Sequence, residues 1–192
     1  MNIRLLAAAS LAVFIGTNSV VADDDIDLDV LADGFQEVPA ALFTPGTAEL
    51  RLRDRGDSIR YRFTFRDLTG NIENSVGAHI HFGRPGINGG IITFVCGTVA
   101  LPGPAGTPPC FSDGLGNGRV RGSITAETIL GIPGQGFPAN DLNAFREAVE
   151  ARAVYLNVHT DAFPSGEVRG DFLPLVVIEA DDDEDDDDDD DD

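Results

Sequence analysis

The stretch Ser58-Ile59-Arg60-Tyr61-Arg62-Phe63-Thr64-Phe65-Arg66 alternates without a slip. Ile59, Tyr61, Phe63 and Phe65 form one set; Arg60, Arg62, Thr64 and Arg66 form the other. A β-strand turns successive side chains to opposite faces, so this pattern predicts a half-buried strand. Just upstream, Ala48, Leu50 and Leu52 alternate with Glu49, Arg51 and Arg53, and Arg55-Gly56-Asp57 supplies a turn. Together the two segments predict a β-hairpin.

Outward from this hairpin, similar patterning predicts strands at Leu28–Ala32, Ala78–Phe82, Ile91–Val95, Arg119–Ile124, Val154–His159, Glu167–Phe172 and Leu175–Ile178. One helix interrupts them. Asn140 or Asp141 can cap it, and Leu142, Phe145 and Val149 make its apolar stripe. Many short strands joined by Gly and Pro turns point to an all-β sandwich or barrel. The segment between the chain's two ends is long enough for one domain with its own core.

Both ends are expected to lie outside that domain. Residues 1–22 read as a secretory signal peptide: Arg4 gives the positive region and Leu5–Ile15 the apolar stretch. Val20-Val21-Ala22 offers small residues for cleavage. The mature domain would then span 23–180, exported to a periplasmic or extracellular location, with no membrane span. At the other end Asp181–Asp192 is acidic throughout, with Glu184 the one residue that is not aspartate. Such a block repels itself and buries no apolar area, so it is expected to be disordered. It reads either as a solubilising tail or as a loose ligand for divalent cations or a basic surface.

The chain carries 13 basic and 33 acidic residues, a net charge of −20. Losing Arg4 with the leader makes this −21, and setting aside the twelve tail acids leaves −9 for residues 23–180. Every basic residue is arginine. This balance argues against nucleic acid or an anionic membrane as partner, since both require a basic patch. Cys96 and Cys110 are the only cysteines. In an exported chain they read as one disulfide across a loop rich in Pro and Gly. In the chain-entropy model such a crosslink stabilises by ~3 kcal/mol.

The chemistry is concentrated in three histidines, within Ala78-His79-Ile80-His81-Phe82-Gly83 and Asn157-Val158-His159-Thr160. Strand parity puts His79 and His81 on the face opposite Ala78, Ile80 and Phe82. By the same rule Tyr155, Asn157 and His159 lie opposite Val154, Leu156 and Val158. If the two strands are neighbours, three imidazoles converge on the outer face of one sheet. A His-x-His pair plus a remote histidine is one way to build a metal site. Asn157, Glu167 and Arg169 are candidates for the supporting shell, and Asp161 could equally orient an imidazole or be a turn acid. The run Gly83–Gly90 follows a strand without opening a helix. It therefore reads as a turn, or a lip over the histidines, rather than a phosphate cradle.

These residues resemble the chordin-type (CHRD) domain, which occurs in exported microbial proteins among others. The matching elements begin with Gln36-Glu37-Val38-Pro39, Leu68-Thr69-Gly70 and Ala78-His79-Ile80-His81 with Gly83 and Gly86. They end with Val154-Tyr155-Leu156-Asn157-Val158-His159-Thr160 and Pro164-Ser165-Gly166-Glu167-Val168-Arg169-Gly170. The likeness runs over about residues 28–173. Ala40 stands where the family pattern more often has a second proline. A weaker similarity is to copper/zinc superoxide dismutases, which also carry a strand-borne His-x-His and a distant Val-His. No further histidine exists to bridge a zinc, so a two-metal site is not implied.

The resemblance implies an antiparallel Greek-key β-sandwich, immunoglobulin-like or superoxide dismutase-like, with one short helix. Three functional readings stay open. In the first, His79, His81 and His159 bind one metal ion on the sheet surface, copper favoured. In the second, the histidines are structural and the domain is an adhesion or interaction module for an unknown extracellular protein. In the third, which is favoured least, the chain is a copper-dependent dismutase-like enzyme, with Arg169 as an anion-guiding cation.

Overall fold

The computed structural model describes residues 26–173. The proposed leader, the acidic run and the strand expected at Leu175–Ile178 lie outside the described residues. Eight strands form in order: β1 (Asp27–Asp33), β2 (Thr47–Asp54), β3 (Ile59–Arg66), β4 (Ala78–Phe82), β5 (Gly90–Cys96), β6 (Gly118–Ile124), β7 (Val154–Val158) and β8 (Val168–Asp171). Between β6 and β7 lies helix α1 (Leu142–Glu150).

All pairings are antiparallel, and the strands make one sheet in the order β5-β4-β7-β8-β1-β2-β3-β6. The sheet folds over on itself. Its β8–β1 seam holds a single register pair, Asp33 with Arg169. The two edges, β5 and β6, come close without hydrogen-bonding to each other. This is the all-β architecture that the strand pattern predicts, sandwich-like as the family resemblance implies.

The alternation read from the sequence sets the inner layer. Leu50 and Leu52 of β2, Ile59, Phe63 and Phe65 of β3, and Ile80 of β4 are all fully buried. They meet Leu156 and Val158 of β7 and Val168 of β8. Tyr61 points inward too, and its hydroxyl donates to the Val95 carbonyl at 2.8 Å, so the one polar tip in that row is satisfied. Helix α1 is capped by Asp141, whose carboxylate accepts from Ala144 N. It closes one end of the core with Leu142, Phe145 and Ala148. Ala148, and not Val149, completes the buried stripe; Val149 is half-buried at its margin.

Cys96 and Cys110 are joined, with Cα atoms 4.9 Å apart. The bridge fastens the long Pro/Gly loop to the end of β5, and Cys110 Sγ sits against Gly77, just ahead of β4. A bond of this kind is formed in oxidising compartments. Among the described residues, no helix is long and apolar enough to cross a membrane.

Candidate metal centre

β4 pairs with β7 so that His79 lies opposite Asn157 and His81 opposite Tyr155. His159 follows β7 directly, and its N–H donates to Gly77 O at 3.0 Å, which extends the pairing by one step. The two strands are thus neighbours, and the parity argument brings the three imidazoles together. One ring nitrogen from each of His79, His81 and His159 lies within 4.8 Å of the others.

One expectation needs correction. The histidines are not on an exposed sheet surface. His79 is fully buried, His159 is only 9% exposed and His81 is half-buried. Every residue of β7 is buried, so both faces of this part of the sheet are covered. Loops form the second cover. Phe94 of β5 stands edge-on to His79 at 4.5 Å between centroids. The Gly83–Gly90 turn is indeed a lip: Gly89 O is hydrogen-bonded to His81 Nδ1 at 3.0 Å. On the third side, Pro164 O is bonded to His159 Nδ1 at 3.0 Å.

A carbonyl can only accept, so both of these Nδ1 atoms carry the proton. The lone pair of each ring is then on Nε2. His81 Nε2 is buried with no hydrogen-bond partner. The Val76 carbonyl lies close enough to favour a proton on His79. Even so, neither nitrogen of His79 completes a hydrogen bond, and both are buried. Burial, reinforced by the neighbouring imidazoles His159 and His81, lowers the pKa of His79 to about 3. Burial likewise brings His81 down to about 4, against the opposing pull of the Gly89 carbonyl. Burial also lowers His159, partly offset by Pro164 O. The three rings are therefore neutral at neutral pH, the form that donates to a metal.

Residues 28–172 match the family model of the CHRD domain. This chain belongs to that family. Neither the curated proteins nor the solved structures contain a match to it.

In this CHRD domain the expected supporting residues take three different parts. Arg169 is fully buried and holds the lip. Its guanidinium donates to Arg84 O at 3.1 Å, Ile87 O at 3.2 Å and Asn88 Oδ1 at 3.2 Å, and pairs with Asp171 at 2.9 Å. It also lies 3.6 Å over the Tyr155 ring, which stacks on His81 at 4.8 Å. Arg169 thus orients His81 from two sides. So enclosed, it cannot serve as an anion guide. Asn157 Nδ2 donates to Glu37 Oε2 at 2.6 Å, beside His79. Glu167 is fully buried but bonds to no imidazole. It accepts from Thr44 Oγ1, Thr69 N at 2.6 Å and Thr160 Oγ1 at 2.6 Å, pinning three loops together. Asp161 is exposed and caps Asn71 N at 2.7 Å, away from the rings.

Glu37, Phe94, Tyr155 and the Pro164 carbonyl also belong to the site, and the sequence gives none of them a role. Glu37 had a signal, since it sits inside a matched element. Its pKa is raised by burial, opposed by bonds from Val38 N and Asn157. Gly166 has φ +130°, and a Cβ there would lie 2.3 Å from Glu37 Oε2. That position requires glycine on both counts.

Proposed function

We propose that this CHRD domain binds one metal ion, copper favoured, through His79, His81 and His159, as an exported binding module rather than an enzyme. The observation that carries this reading is that buried, unpartnered nitrogens of His79 and His81 lie within 4.8 Å of each other and of a ring nitrogen of His159. An unsatisfied buried polar group costs about 1–3 kcal/mol, so groups of this kind call for an explanation. Two nitrogens on one ion at about 2.1 Å are at most about 4.2 Å apart, so closure asks for ring movements of order 1 Å. The orienting Nδ1 bonds to Gly89 O and Pro164 O are the second-shell arrangement that metal-bound imidazoles use. Copper(II) stands above zinc in affinity for nitrogen sets, and three imidazoles without a carboxylate suit it.

The alternative is an interaction module whose histidines are structural. The two backbone bonds favour it for His81 and His159. It leaves both nitrogens of His79 without a purpose.

The test is a titration of the mature chain with copper and zinc, reading affinity by competition with a chelator and stability by thermal melting. A tail with its acids changed to serine removes adventitious carboxylate binding. One equivalent of copper should bind tightly and raise stability by about 2.7 kcal/mol at a hundredfold excess over Kd. His81→Ala should abolish both effects. Copper binding that His81→Ala leaves unchanged would overturn the proposal.

A further inference from the structure

The outer face of β2, β3 and β6 gathers positive charge that the rest of this acidic chain does not have. Register places Arg51, Arg62 and Arg121 directly opposite one another across the three strands. Arg53 and Arg60 form the next row, and Arg119 lies on the same face of β6. Like charges directly opposite are destabilising in a sheet. On the β1 side the repulsion is answered: Arg53 pairs with Asp27 at 2.7 Å and Arg51 with Glu49 at 2.6 Å. Among the described residues, Arg60, Arg62, Arg119 and Arg121 form no ion pair. All four are exposed, and a groove of about 340 Å³ runs between Arg51, Arg53, Arg60, Arg62 and Arg121.

The sequence argument that no basic patch exists holds for composition but not for the folded surface. We propose that this arginine face is the docking surface for the acidic run Asp181–Asp192 of the same chain. Charge complementarity is the first argument. The run offers twelve carboxylates, and guanidinium groups hold carboxylates bidentately.

Reach is the second. β8 runs antiparallel to β1, so the chain leaves it toward the Asp29 and Asp27 end, where the arginine rows begin. The tether starts after β8, and four strand spacings of about 4.8 Å separate β8 from β6, about 19 Å in all. Seven residues, 174–180, connect the last described residue to the acidic run. Fully extended, they span about 23–25 Å. A tether this short holds the run at millimolar effective concentration, ahead of any dilute polyanion outside.

The experiment is arginine modification by phenylglyoxal, read peptide by peptide in a mass spectrometer. It compares the mature chain with a variant whose twelve acids at 181–192 are serine. Exposed Arg152 serves as the internal control. At about 0.01 M salt, Arg60, Arg62, Arg119 and Arg121 should react on the order of threefold more slowly in the acidic chain. That protection should vanish near 1 M salt, where screening acts within about 3 Å, and should not depend on protein concentration. Equal rates in the two chains would overturn the proposal. So would protection that grows with protein concentration, which assigns the face to a second copy's tail. Protection seen only after adding dextran sulfate would overturn it as well, in favour of an external polyanion.

Discussion

The two layers of this folded sheet treat arginine in opposite ways. In the β1-β2-β3-β6 layer, arginines project from a face left open to water, and each strand alternates buried with exposed residues. In the β5-β4-β7-β8 layer, Arg169 is fully buried and every residue of β7 is covered on both sides. The difference lies in the loops. Those around residues 84–89 and 160–166 lie over the second layer and lend it their carbonyls. A sheet face covered in this way becomes a second, polar interior. That is where three imidazoles can be neutral, close together and shielded from water.

The comparison can be broken most forcefully at Arg169. Arg169→Ala removes the charge that holds the lip and leaves Asp171 and the three lip acceptors, Arg84 O, Ile87 O and Asn88 Oδ1, without their donor. Loss of stability of about 3–5 kcal/mol is expected, measured by urea unfolding. Acid should expose the same interior by another route. The pKa values of His79 and His81 are lowered in the fold, to about 3 and about 4. The unfolded chain therefore binds more protons between those values and about 6.5. Stability is unaffected by these groups above pH 6.5, falls as pH drops below it, and levels off once the folded rings protonate. At pH 5 the two together should cost about 4 kcal/mol relative to pH 7, an effect that His79→Phe with His81→Phe should largely remove.

Smaller effects sharpen the contrast. His79→Phe alone should leave the metal-free domain as stable or about 1 kcal/mol more stable, since it deletes two unsatisfied nitrogens. The same substitution should eliminate copper binding. A purely structural histidine would show the reverse, with a clear loss of stability. Smallest of all is Arg62→Ala on the open layer, expected within about 0.5 kcal/mol of the parent by thermal melting. Arg62 and Arg169 are one residue type on one sheet, so that gap measures what the loop cover contributes.

Much of this was legible in the chain. Strand alternation in Ile59–Arg66 and Ala78–Phe82 gave the faces, and the pairing of His79 and His81 on one side follows from parity alone. What parity could not say is whether the second face meets water. Cover by irregular loops leaves no periodic trace, so His79, Asn157 and Arg169 read as outward polar residues. β5 carried the better hint. Its near-continuous Ile91-Ile92-Thr93-Phe94-Val95-Cys96 is the pattern of a strand buried on both sides. Glu167 misled because adjacency to His159 in sequence suggested an imidazole partner. Its carboxylate turns toward Thr44, Thr69 and Thr160 instead. The arginine rows were visible strand by strand, but their alignment depends on the β3–β6 pairing between segments far apart in the chain.

That alignment also bears on self-association. β6 is an edge of the sheet, and an exposed edge is a template on which another chain's strand can pair and seed aggregates. Arg119 and Arg121 stand along it, flanked by Arg60 and Arg62 of β3. A second copy brought edge to edge would set guanidinium against guanidinium before any backbone bond could form. The row proposed to hold the acidic run would thus also disfavour pairing of two copies through β6.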